Sequence, residues 1–196
     1  WRGMACVVTV VVLERGRATI GHVGDTRLYA VRTDAIEKIT PDHSPVGERE
    51  DAREISEIEA MRHPRRNEVY RDVGSEPHQA SDPNFIWVHE VDVAEGTSLL
   101  LCSDGLSGMV RDEEIAQMIG DAPDPHAAVQ RLVAAALEHG GTDNITVVLA
   151  RVDGSHAAAV DGTGRLAVVM TDATQPIEIP PPPTAVPKST RTPEVL

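Results

Sequence analysis

The apolar positions of the chain fall in short runs separated by polar breaks. From Val7 to Leu13 nearly every residue is β-branched or aliphatic, which predicts a strand. Glu14-Arg15-Gly16-Arg17 is a polar turn, and Ala18 to Val23 reads as a second strand that closes a hairpin. Gly24-Asp25 breaks the run. Arg27 to Arg32 and Ala35 to Ile39 are two further short strands around Thr33-Asp34, so an antiparallel meander is expected here. Thr40 to Ser44 leaves the sheet. From Glu48 to Met61 the apolar positions thin to Ile55, Ile58 and Met61, one narrow stripe that predicts a single exposed helix. His63 to Asp82 has no period and reads as an irregular flap, a length of loop that is more often functional than structural. Phe85 to Val93 alternates as a strand does.

Ser98 to Cys102 has a different pattern. Leu99, Leu100, Leu101 and Cys102 are apolar without alternation, as in a strand buried on both faces. Asp112 to Ile119 predicts a helix, with acids in its first turn where the helix dipole favours them and Gly120 after its end. Asp124-Pro125 starts another, with an N-cap acid and proline at the first helical position. It runs to about Glu138 and stops at Gly140-Gly141. Ile145 to Val152 is a last strong strand. The elements describe an α+β domain over residues 1–152. From 153 to 196 the chain becomes a Pro-rich tail, expected to be disordered apart from a stray strand at Arg165 to Met170.

Composition narrows the picture. A chain of 196 residues can bury one sizeable core, and with 3% aromatic residues Val, Leu, Ile and Ala must fill it. It starts at Trp1, so a piece of something longer is expected. The net charge is −13, nearly all of it in the body, since the tail holds five acids against three bases. Such a body argues against nucleic acid, which needs clustered Lys and Arg, and suits a protein that holds multivalent cations. No apolar run approaches the roughly 18 residues of a membrane span. No membrane partner and a cytoplasmic location are therefore expected. Cys6 and Cys102 sit in apolar runs and read as buried, reduced thiols.

One feature recurs: an acid where an apolar strand meets a glycine or an amide. Asp25 follows Ile20-Gly21-His22-Val23-Gly24, and Asp104 follows Leu99 to Ser103. Asp143, in Gly140-Gly141-Thr142-Asp143-Asn144, precedes the last strand. If these ends meet on one rim, three carboxylates face each other without a counter-charge, and hard cations such as Mg²⁺ or Mn²⁺ resolve the repulsion. Two such cations can polarise a phosphate and lower the pKa of a water between them. No Cys/His cluster points to zinc, and no Gly-rich loop with lysine points to a nucleotide-binding P-loop. Taken singly, each of the three acids is also an ordinary turn residue.

Five stretches in order resemble the metal-dependent Ser/Thr protein phosphatases of the PPM (type 2C) family. They are Gly21 to Tyr29, Ile39-Thr40-Pro41-Asp42-His43-Ser44, His63-Pro64-Arg65-Arg66-Asn67, Leu100 to Leu106 and Gly140 to Val148. The likeness covers about Gly3 to Val152. It implies a PPM-type β-sandwich flanked by helices, with the N-terminal strands and helices missing. It also implies two Mg²⁺ or Mn²⁺ per site in the intact family, with a third at a weaker position. Asp104 and Asp143 match family metal ligands, and Asp25 matches the acid that helps hold the third metal. Residues 44–75 correspond to the variable flap. The implied reaction is attack of a metal-activated water on phosphoserine or phosphothreonine of phosphorylated proteins. Two family features lie upstream of the likeness, a phosphate-binding arginine and the Asp-Gly whose carboxylate bridges the metals. No catalytic residue beyond the metal ligands is therefore expected, and the chain alone should have little activity. Thr26 stands where serine is usual, and Arg111 where a Ser N-cap is common. A non-catalytic PPM-like interaction module and a plain acidic β-rich domain remain as other readings.

Overall fold

The computed structural model describes residues 4–33, 35–79, 82 and 84–153 in full, and the backbone of 169–172. Two antiparallel sheets stack face to face. One contains β1 (Val8–Glu14), β2 (Arg17–Val23) and β5 (Trp87–Asp92), in the order β1-β2-β5. The other contains β3 (Arg27–Arg32), β4 (Ala35–Lys38), β6 (Ser98–Cys102), β7 (Thr146–Arg151) and β8 (Val169–Asp172), in the order β4-β3-β6-β7-β8. Between the sheets lie Ala18, Ile20, Leu28, Val93 and Leu99, with Val11, Leu13 and Leu101 against them.

Three helices cover the outer face of the larger sheet: α3 (Asp104–Ser107), α4 (Asp112–Gly120) and α5 (Pro125–Glu138). Leu132, Val129, Ile115 and Leu106 pack there against Tyr29, Leu100, Cys102, Val147 and Leu149. Strand β6 thus sends Leu99 and Leu101 to the inter-sheet core and Leu100 and Cys102 to the helices, which is why its sequence does not alternate.

The meander is corrected. The chain changes sheet between β2 and β3, because β2 needs cover on one face only whereas Leu28, Tyr29 and Val31 of β3 must be buried on both sides. Gly24 makes the crossing at φ 114°, and a Cβ there would fall on the Val7 side chain.

The single helix expected from Glu48 to Met61 is two short ones, α1 (Pro45–Asp51) and α2 (Glu57–Met61). Ser44 caps α1 by accepting from Gly47 N–H at 2.9 Å, and Pro45 opens it. Ser56 and Glu59 form a capping box that restarts the chain as α2, and Arg53 sits between at φ 58°. The described residues of the flap expected at His63 to Asp82 are irregular, and the strand expected from Phe85 begins at Trp87. The Cys6–Val73 backbone pair, at 3.0 and 2.8 Å, ties them to the body.

One expectation about exposure is corrected. Cys6 is exposed, although Cys102 is buried as expected and its thiol is pushed up to about 12. The outer face of β1-β2-β5 is bare: Val10 is 52% exposed, Val12 51% and Val88 65%. Within the stretch expected to be a tail, β8 pairs with β7, Leu149 opposite Val169 and Thr146 opposite Asp172. This strand overlaps the stray strand expected at 165–170 and departs from a wholly disordered tail. The rest of 153–196 lies outside the described residues after Asp153. Among the described residues no helix is long and apolar enough to cross a membrane.

Candidate metal centre

All three acids sit at one end of the sandwich, because β2 and β6 end there and β7 begins there. Asp25 follows Gly24 at the sheet change. Asp104 follows β6 as the first residue of α3. Its neighbour Ser103 does not cap α3. The Ser103 hydroxyl instead donates to Asn144 O at 2.9 Å and accepts from Thr146 N–H at 3.0 Å. This staples the 140–146 loop, with Asp143, to the end of β6. Gly105 permits the close approach, since a Cβ there would fall on Asn144 O.

Asp25 and Asp104 line one cleft of about 50 Å³, with Arg27, Asp42 and Ser107 in its wall and Arg66 and Asn67 reaching in from the flap. Asp143 is exposed and does not line the cleft. The charges nevertheless interact in sequence. Burial raises the Asp25 carboxyl to about 6, and the neighbouring Asp104 and Asp42 add to it. Burial and then Asp143 raise Asp104, offset in part by Gly105 N–H and the Arg66 charge. The acidic positions therefore face one another with too little positive charge between them.

The Arg27 guanidinium in the cleft wall is already committed. Arg27 donates to Asp42 Oδ2 at 2.6 Å, to Glu50 of α1 at 2.6 Å and to the Tyr29 hydroxyl at 3.1 Å. Lys38 adds contacts of 3.3 Å to Asp42 and 2.6 Å to Asp51. Burial alone would raise Asp42, but Arg27 and Lys38 hold it below its ordinary value and charged. The buried pair fixes the Thr40–Ser44 turn and the start of the flap against β3.

Two histidines support the turn that carries Asp25. His22 Nε2 donates to Pro41 O at 2.9 Å and Gly24 O at 3.0 Å, so its Nδ1 accepts from the Thr9 hydroxyl at 2.8 Å. The Thr26 hydroxyl joins Thr9 at 2.7 Å, so the Ser-to-Thr difference keeps a hydroxyl in use. His43 Nδ1 accepts from Gly24 N–H at 3.0 Å. Burial, then Arg71 and His22, push His43 down to about 4, so it is neutral.

The sequence reading placed Asp25, Asp104 and Asp143 but gave no site role to Arg27, Asp42, His22, His43 or Arg66. All five lie in the quoted motifs. A polar cluster such as Thr40-Pro41-Asp42-His43-Ser44 between two elements was the available signal. Among the described residues, no three His, Cys, Asp or Glu groups lie close enough to hold an ion by themselves. An all-oxygen donor set in which Asp25 and Asp104 have raised proton affinity still fits a hard divalent cation in chemistry, because such ions bind through one or two carboxylates and keep water elsewhere.

A family model described as protein phosphatase 2C matches residues 3–145, and the chain belongs to that family. The serine/threonine phosphatase stp of Listeria innocua is 34% identical over 147 residues, covering 75% of this chain and 56% of that protein. The crystal structure of the Mycobacterium tuberculosis serine/threonine phosphatase PstP/Ppp superposes with a TM-score of 0.68 at 32% identity, covering 78% of this chain and 62% of that one. A PstP catalytic domain solved in complex with two manganese ions matches with a TM-score of 0.65 at 31% identity, over 78% of this chain and 61% of that one. The chain spans little more than half the length of the curated relatives it matches.

Proposed function

We propose that this chain carries the carboxylate end of a metal-dependent phosphatase acting on phosphoserine and phosphothreonine in proteins, with Mg²⁺ or Mn²⁺ as its cofactor. The observation that carries the reading is the pairing of Asp25 and Asp104 in one cleft, both with raised proton affinity, while the Arg27 guanidinium in its wall is committed to Asp42 and Glu50. Asp104 and Asp143 would hold the principal metal and Asp25 a further one. A bound ion of this kind polarises a phosphoryl oxygen and lowers the pKa of water.

The chain's own residues do the positioning. The Arg27–Asp42 pair and the neutral histidines lock the turn that aims Asp25, so the carboxylate needs little reorganisation to meet a cation. Ser103 sets the distance between the Asp104 and Asp143 backbones. Arg66 offers the cleft a guanidinium, the group best suited to grip a phosphoryl oxygen. Activity of a protein of the relatives' full length is part of the proposal. For this chain alone the reading expects metal binding with weak hydrolysis.

The test is calorimetric titration of the chain with Mn²⁺ beside hydrolysis of a phosphothreonine peptide. Mn²⁺ binding that is lost in Asp104→Asn supports the reading. Absence of Asp104-dependent binding at millimolar Mn²⁺ would favour the second reading, a non-catalytic interaction module. The lack of a three-ligand cluster among the described residues speaks for that module.

A further inference from the structure

The acidic cleft has a neighbour. A groove of about 480 Å³ runs between the flap helix α2 and the turn from α3 to α4, and Met61 and Gly108 line both it and the cleft. A peptide chain leaving the cleft past this shared wall enters the groove. The two sides of the groove are tied together. Arg111 provides no side-chain cap for α4, and Glu57 of α2 takes that place, its Oε1 accepting from Asp112 N–H at 2.6 Å. Ala60 of α2 is buried, so the flap helix is seated on the body and not merely laid over it.

The groove combines an apolar floor with a charged rim. Ile58, 44% exposed, faces it with Met61 and Met109. Arg62, Arg111, Glu114 and His139 stand around them. Arg111 is held by Glu114 at 2.7 Å, and His139 Nδ1 donates to Met109 O at 2.8 Å. Arg62 is different. Its flap neighbours Arg49 and Arg65 are paired with Glu54 and Glu68, whereas Arg62, like Arg66 in the cleft, has no carboxylate partner among the described residues. In a chain of net charge −13, an uncommitted guanidinium on the groove's rim, outside the cleft that Arg66 enters, gives an acidic ligand a point of attraction.

We infer that this groove seats the residues flanking the phosphorylated residue of a peptide substrate, and that Arg62 selects an acidic side chain there. The inference rests on the phosphatase reading above. Apolar flanking residues would lie on Ile58, Met61 and Met109, and the groove stands open for them before they arrive.

The test uses fluorescence anisotropy with the 196-residue chain, Mn²⁺ and three labelled peptides: phosphothreonine flanked by glutamates, phosphothreonine flanked by alanines, and the first without its phosphate. The acidic phosphopeptide should bind roughly fivefold more tightly than the alanine-flanked one, the scale of one partly exposed ion pair. Arg62→Gln should remove that preference, and Arg32→Gln, at the far end of the sheet, should keep it. Arg62 is exposed, so an unchanged melting curve is expected for its variant. Equal binding of the two phosphopeptides, a preference that survives Arg62→Gln, or no binding of any peptide would overturn the inference. If the unphosphorylated acidic peptide binds as tightly as its phosphorylated form, and Arg62→Gln weakens both, the groove stands and the phosphatase reading fails.

Discussion

Replacing Asp25 with Asn should stabilise the metal-free chain at neutral pH. The carboxyl titrates at about 6 where 3.8 is ordinary, first because it is buried and then because Asp104 and Asp42 lie near. Its folded-state pKa is thus above the unfolded one. The stability it contributes is full below about 3.8 and is lost as pH rises through about 6. A shift of about two units caps the loss near 3 kcal/mol. Partial exposure reduces this to about 1–2 kcal/mol. Asn keeps the shape and drops the charge, so the variant escapes the loss and also relieves Asp104. Urea unfolding in the presence of a chelator, at about pH 4.5 and about pH 7.5, measures it. The gain over the parent should be small at the lower pH and about 1–2 kcal/mol at the higher. With Mn²⁺ added the order should reverse, since the ion stabilises only a chain that can bind it. A variant less stable than the parent by the same margin at both pH values would refute the reasoning, because the carboxylate would then be in a satisfied structural role.

Three further outcomes follow from particular contacts. Asp42→Asn leaves the buried Arg27 guanidinium with Glu50 alone and should cost about 3 kcal/mol in urea unfolding, and a loss below about 1 would show the pair to be well solvated. Gly24→Ala places a Cβ on Val7 at a φ of 114°, and should lower stability by about 2 kcal/mol in thermal melts. A neutral result would mean that the sheet change does not need a left-handed residue. Val10→Glu lies on the bare outer face and should leave stability within about 0.5 kcal/mol while reducing binding of a hydrophobic dye. A loss above about 2 kcal/mol would show that something covers that face in solution.

Much of the architecture follows from local pattern alone. The non-alternating Leu99 to Cys102 run required cover on two sides, and β6 has it. Asp124-Pro125 and Gly140-Gly141 bounded α5 within the chain's own chemistry, because caps and left-handed glycines act over a few residues. The acids at strand ends were visible for the same reason. The capping signals Ser44-Pro45 and Ser56 to Glu59 were also local, and they outweigh the sparse apolar stripe that suggested one helix. Partners distant in sequence were not legible. Nothing near Arg27 announces Asp42 and Glu50, and nothing near Arg111 announces that Glu57 will cap its helix. Whether Gly24 turned the chain within one sheet or between two depended on which faces of β3 the rest of the molecule would bury. The carboxylates' raised proton affinity likewise belongs to the assembled cleft, because burial and mutual repulsion arise only when strands far apart in the chain end side by side. Sequence thus determined the short-range pieces, whose energetics are set by neighbours within a turn or a strand. The tertiary structure decided which pieces face each other, and with that the charge imbalance on which the proposed chemistry depends.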